Sequence, residues 1–137
     1  MKNMKIAVLV SGGGTNLQAL IDYEKANPDC PYHIELVVSN TKSAYALERA
    51  KNAGIQTEVR SPYSVLGKEN AEKADRDTKR IAISDAILDL CLSHKIDAIV
   101  LAGYLSVLGG KIIEEYSGRI INLHPALLPK FGGVGMW

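Results

Sequence analysis

The sequence predicts a doubly wound α/β domain on a mostly parallel sheet. Three observations predict it. Lys5-Ile6-Ala7-Val8-Leu9-Val10 and Ala98-Ile99-Val100-Leu101-Ala102 are continuous apolar runs of strand length, the pattern of strands covered on both faces. Stretches with apolar residues at helical spacing separate such runs, so each strand is followed by a crossover helix and the strands run parallel. The first run passes directly into Ser11-Gly12-Gly13-Gly14-Thr15-Asn16 and then into Leu17-Gln18-Ala19-Leu20-Ile21-Asp22, which reads as strand, glycine loop, helix.

Taken in order, the first strand is expected over 5–10 and the first helix over 15–26. Asn27-Pro28-Asp29-Cys30-Pro31 is a loop, since proline and asparagine favour turns. A second strand covers 33–39 and ends in Ser39-Asn40. A helix over 44–53 stops at Gly54, a residue suited to the left-handed turn that ends helices. Gln56-Thr57-Glu58-Val59 is a short strand, and the polar stretch 61–76 gives no assignment. A long helix over 77–94 carries Ile81, Ile83, Ile87, Leu88, Leu90 and Cys91. The buried strand 98–102 precedes Gly103-Tyr104-Leu105, a helix near 110–116 follows, and Arg119-Ile120-Ile121 opens the final strand. There is no internal repeat and no low-complexity segment.

At 137 residues the chain is read as one domain, 1–137, long enough to bury a core. A net charge of +1 without a basic stripe does not favour nucleic acid. Cys30 and Cys91 are far apart and unpatterned, which gives neither a metal cluster nor a disulfide framework and suits a reducing cytoplasm. His33 and His94 are read as isolated surface residues, so no metal site is expected. No apolar run approaches membrane length. Met1-Lys2-Asn3-Met4-Lys5 runs straight into a strand, so no signal peptide is expected. A cytoplasmic protein acting on small molecules follows.

The chemistry-bearing residues lie at the two ends. After Ile121 come Asn122, Leu123, His124 and Pro125. Period-two alternation puts Asn122 and His124 on one face, and Pro125, with no N–H to give, ends the ladder. Ligands of open α/β sheets sit outside the carboxyl ends of the strands. An amide donor beside an imidazole in that place suits acyl-type chemistry, because the amide can donate to an oxyanion and the ring can carry a proton or its charge. The plainer alternative is an asparagine capping a turn and a packed histidine. At the other end, the glycines allow close backbone approach, and the N–H groups opening the helix make an anion site. The plainer alternative there is a tight turn with Thr15 or Asn16 as helix cap. The loop is not the dinucleotide fingerprint, because Leu17 holds the third glycine's place and Ser39-Asn40 supplies no acid for a ribose. Nor is it a Walker loop, since no Gly-Lys-Ser/Thr follows. It suits a single phosphate.

With both ends read, the chain resembles the phosphoribosylglycinamide formyltransferases, folate-dependent enzymes of purine biosynthesis. The resemblance runs from about Lys5 to Gly133 and rests on four stretches: Ser11 to Leu20, Val37 to Asn40, Ile99 to Leu105, and Asn122 to Phe131. The Asn-x-His-Pro segment is shared by several folate-using formyltransferases and formyl hydrolases; the Ser-Gly-Gly-Gly-Thr-Asn-Leu-Gln loop is the discriminating part. The resemblance implies a Rossmann-like formyltransferase fold, with 10-formyltetrahydrofolate as formyl donor and glycinamide ribonucleotide as acceptor. It implies that Gly14, Thr15 and Asn16 hold the substrate phosphate. It places Arg80, Leu105, Ser106, Val107 and Leu108 on the folate, together with Asn122. Asn122 and His124 match the catalytic pair. A homodimer is left open. Two departures are notable. Ser106 stands where a basic residue is common, and no aspartate follows His124 to orient it. The chain is therefore expected to be an N-terminal portion, C-terminally incomplete, with little turnover of its own. The alternatives are a non-catalytic nucleotide-phosphate binding fragment, or another 10-formyltetrahydrofolate-dependent transferase or hydrolase.

Overall fold

The computed structural model describes residues 4–123. Five strands form one sheet: β1 (Met4–Val10), β2 (Tyr32–Ser39), β3 (Gln56–Val59), β4 (Ala98–Ala102) and β5 (Ile120–Leu123). Their order is β3-β2-β1-β4-β5, and all four pairings are parallel. The chain starts at the centre, walks outward to β3, then crosses back to the other side of β1. The winding therefore reverses between β1 and β4, and the crevice at their carboxyl ends is the topological switch point.

Helices cover both faces. α1 (Thr15–Ala26) and α2 (Tyr45–Asn52) close one side, where Leu17, Ile21, Ala46 and Leu47 pack on Ile6, Val8, Val10 and Val100. α5 (Arg76–Ser93) and α6 (Lys111–Glu115) close the other, where Ile83, Ile87 and Ile112 pack on Ala7, Leu9 and Ile99. Each fully buried aliphatic side chain of this kind stabilises the fold by about 1.5–3 kcal/mol. A bulge adjusts the pattern in β2. Ile6 pairs with Ile34 but Ala7 pairs with Leu36, so Glu35 is the extra residue. The slip turns Ile34 to the α1/α2 face and Leu36 to the α5/α6 face, although they are two positions apart.

The expected elements are present with small shifts. β1 opens at Met4, α5 opens at Arg76, and the last strand extends through Leu123, so Asn122 lies within the ladder opposite Leu101. The stretch left without assignment folds as α3 (Pro62–Leu66) and α4 (Lys68–Lys73). These helices are too short for a periodic apolar stripe. Their signal is the cap: Ser61 accepts from the Ser64 amide, Ser64 returns the bond, and Pro62 occupies the first turn. Cys30 and Cys91 are both buried and free. His33 and His94 are not isolated, which corrects that expectation. His33 Nδ1 lies 2.7 Å from Glu24, and both rings approach Glu35, at 3.6 and 3.8 Å.

Candidate active site

The glycine loop leaves β1 at the switch point and enters α1. Neither Thr15 nor Asn16 is the helix cap. The residue at the N-cap of α1 is Gly14, at φ 81°, and no side chain caps the helix. Thr15 and Asn16 lie inside the first turn, which carries no acidic residue. Gly14 is required twice over. Its φ is in the left-handed region, and a Cβ there would stand 2.6 Å from Ala46 Cβ and 2.8 Å from Ala46 Cα. The loop backbone is also tied to α2: the Ala46 amide donates to the Gly12 carbonyl at 3.0 Å, and Arg49 Nε donates to the Gly13 carbonyl at 2.7 Å.

The second part is the loop leaving β4. Two serine hydroxyls pin it. The Leu105 amide donates to Ser11 Oγ at 2.8 Å, and the Gly109 amide donates to buried Ser84 Oγ at 3.0 Å. The first bond joins this loop to the glycine loop across the switch point. Between the pins, Leu105 is 85% exposed and Val107 63%. Large apolar side chains held open to solvent by ordered backbone mark a binding surface. Leu105, Ser106 and Val107 wall a cavity of about 510 Å³ whose other walls are Asn40, Pro62, Ile83, Arg76, Lys79 and Arg80. Leu108 does not line it. It is buried in the core under α5 instead, which corrects the expectation that all four loop residues face a ligand.

The cavity is apolar on the loop side and cationic on the helix side. Arg76, Lys79 and Arg80 fall at i, i+3 and i+4 on α5 and so share a face. Arg80 lies on Gly109, where an added Cβ would meet its guanidinium carbon at 3.2 Å. It leans toward Asp77 at 3.5 Å. Arg80 Nε and Asn40 Oδ1 are buried with no hydrogen-bond partner among the described residues, and both residues line the cavity. Asp75 caps this end of α5. The Thr78 amide donates to its carboxylate at 2.7 Å and holds its pKa below the ordinary 3.8. Burial pushes the Tyr104 hydroxyl up to about 12, so it stays neutral.

Asn122 is exposed on β5, paired with β4 close to where that strand exits into the cavity wall. His124 lies outside the described residues. The structure thus brings Arg80 together with Leu105, Ser106 and Val107, and ties their loop to the one that holds Gly14, Thr15 and Asn16. The sequence reading missed Ser11, Asn40, Arg49, Arg76, Lys79 and Ser84. The three α5 cations were legible as a helical triplet, but a helix start at 77 left Arg76 outside it. Ser84 was visible as a lone hydroxyl on an apolar face. Among the described residues there is no cluster of metal-ligand type, and no helix is long and apolar enough to cross a membrane. A second cleft, of about 460 Å³, opens beside Glu24, His33, Glu35 and Gln56, toward the amino-terminal ends of the strands and away from these loops.

Comparison with known proteins follows the same lines. The formyl transferase family matches the chain over residues 4–136. A phosphoribosylglycinamide formyltransferase of Haemophilus influenzae is 41% identical over 133 residues, which cover 97% of this chain and 57% of that protein. A crystal structure of the phosphoribosylglycinamide formyltransferase of Brucella melitensis superposes with a TM-score of 0.75 at 38% identity, over 97% of this chain and 62% of that one. A formyltetrahydrofolate deformylase from Burkholderia mallei shares the fold, with a TM-score of 0.70 at 21% identity over 90% of this chain and 38% of that one. The chain thus spans a little over half the length of the formyltransferases it matches.

Proposed function

We propose that this chain, which belongs to the formyl transferase family, carries the phosphate loop and the folate wall of an enzyme that transfers a formyl group from 10-formyltetrahydrofolate to the amine of glycinamide ribonucleotide in purine biosynthesis. The observation that carries the proposal is the 2.8 Å bond from the Leu105 amide to Ser11 Oγ. It sets an anion-binding loop and an apolar-cationic cavity side by side at the switch point, as a reaction between a phosphorylated amine and a folate requires. The N–H groups at Gly14, Thr15 and Asn16 take the phosphate. The folate ring lies against Leu105, Ser106 and Val107, and its glutamate carboxylates meet Arg80, Arg76 and Lys79. The cavity fits such a ligand, with one apolar wall, one cationic wall and two unpartnered buried polar atoms.

In the reaction the substrate amine attacks the formyl carbon. A carbon–nitrogen bond forms, and the carbonyl electrons move onto oxygen. Asn122 donates to that oxyanion. The attacking nitrogen loses a proton, with His124 as carrier. As the oxyanion collapses, the bond from the formyl carbon to folate nitrogen breaks and that nitrogen gains a proton. The products are formylglycinamide ribonucleotide and tetrahydrofolate. A hydrolase has no second substrate with a phosphate to hold, so the cap-free glycine loop favours transfer over hydrolysis.

The test is a formyl-transfer assay with the two substrates, on the protein extended to the full length of its formyltransferase relatives, of which this chain spans 57% in one case. Asn122→Ala is expected to lower kcat by about 10²–10³ with little change in KM, because its hydrogen bond forms in the transition state. An Asn122→Ala enzyme whose KM rises while kcat holds would refute the assigned role. Formyl release to water without a need for the ribonucleotide would refute the transferase reading.

A further inference from the structure

We propose that Arg49, on the helix behind the glycine loop, is a positioning residue for the substrate phosphate. The inference rests on the loop being the phosphate site. In a planar trans peptide the carbonyl and the following N–H point in opposite directions. The Gly12 carbonyl is held toward α2 by the Ala46 amide, and the Gly13 carbonyl by Arg49 Nε. The N–H groups of Gly13 and Gly14 are therefore turned away from α2. They continue the row of N–H groups at Thr15 and Asn16, and successive N–H groups facing one concavity bind anions.

Little else holds this orientation. A Cβ built at Gly12 or Gly13 meets nothing within 4 Å, and glycine tolerates either peptide orientation. A flipped Gly13–Gly14 peptide would put a carbonyl oxygen where the phosphate binds. Arg49 itself is fixed on two further sides. Its Nη1 donates to Gln18 Oε1 at 3.2 Å, and its guanidinium lies 5.0 Å from the centre of the Tyr45 ring. The planar fork serves the Gly13 carbonyl and Gln18 together, which a lysine ammonium cannot do with the same geometry. Its charge, behind the loop, also favours an anion in front of it.

The experiment is a two-by-two cycle. Dissociation constants for glycinamide ribonucleotide and for its dephosphorylated riboside are measured by calorimetry on wild type, Arg49→Met and Arg49→Lys. Wild type should prefer the phosphorylated ligand. Arg49→Met should cut that preference about tenfold, the effect of one charge-assisted hydrogen bond, with the riboside constant little changed. Arg49→Lys should restore part of it. Equal weakening of both ligands, or an intact preference, would overturn the proposal and leave Arg49 a structural contact. If Arg49→Met does not fold, Arg49→Lys decides, and a full wild-type preference there overturns the proposal. A wild-type protein without any preference for the phosphorylated ligand would instead refute the phosphate site itself.

Discussion

Gly14 carries more of the site than any other single residue, because one backbone position sets the loop, starts α1 and seats α2. Gly14→Ala adds a Cβ about where Ala46 already lies, 2.6 Å from its own Cβ, in a left-handed conformation that a substituted residue resists. Binding of a ribonucleotide phosphate should fall sharply, and thermal stability with it, because α2 must shift. Calorimetry and a melting curve on the same preparation check both. Gly12 and Gly13, with open space around them, should tolerate alanine with no loss of stability. The glycine loop was legible from residue types alone. Which glycine is indispensable was not, since that depends on Ala46, 32 positions along the chain.

Among the elements, hydroxyls and caps hold the carboxyl-end loops together with the apolar anchor of Leu108. Ser84→Ala should leave the buried Gly109 N–H without a partner, at about 1–3 kcal/mol. Urea denaturation should show a lower midpoint with an unchanged slope, and the exposed pair Leu105 and Val107 should lose its fixed placement. The N-terminus of α5 should respond to acid. Asp75 has its pKa lowered by the Thr78 amide, so its contribution is complete above the ordinary value of 3.8. That contribution is lost as pH falls through the lower folded value. The Thr78 amide resonance should follow that titration, and Asp75→Asn should abolish it. Strand and helix order were legible because apolar runs and helical spacing survive without tertiary context. α3 and α4 were not, because a helix of five or six residues shows its cap and nothing periodic. Nor was the β2 bulge at Glu35 legible, since the slip appears only against the partner strand.

Over the whole molecule, the sheet order places every proposed contact at one edge. β1 supplies the glycine loop, β4 the wall of the cavity, and β5 Asn122, three adjacent strands around one switch point. The glycines and Asn122 were legible because they carry chemistry, whereas Leu105, Ser106 and Val107 were reached only through the resemblance to the formyltransferases. The sequence reading missed the residues that join them, Ser11 and Arg49, because a hydroxyl or guanidinium on a distant backbone has no local pattern. The proposed function requires this edge to bind a ribonucleotide phosphate and a folate side by side. Amide chemical shifts of the isotope-labelled protein, titrated first with glycinamide ribonucleotide and then with 10-formyltetrahydrofolate, test it most directly. The ribonucleotide should move Gly13, Gly14, Thr15 and Asn16. The folate should move Leu105, Ser106, Val107 and the Arg80 side chain. Shifts centred instead on the cleft beside Glu24, His33 and Glu35, or none at saturating ligand, would refute the paired site.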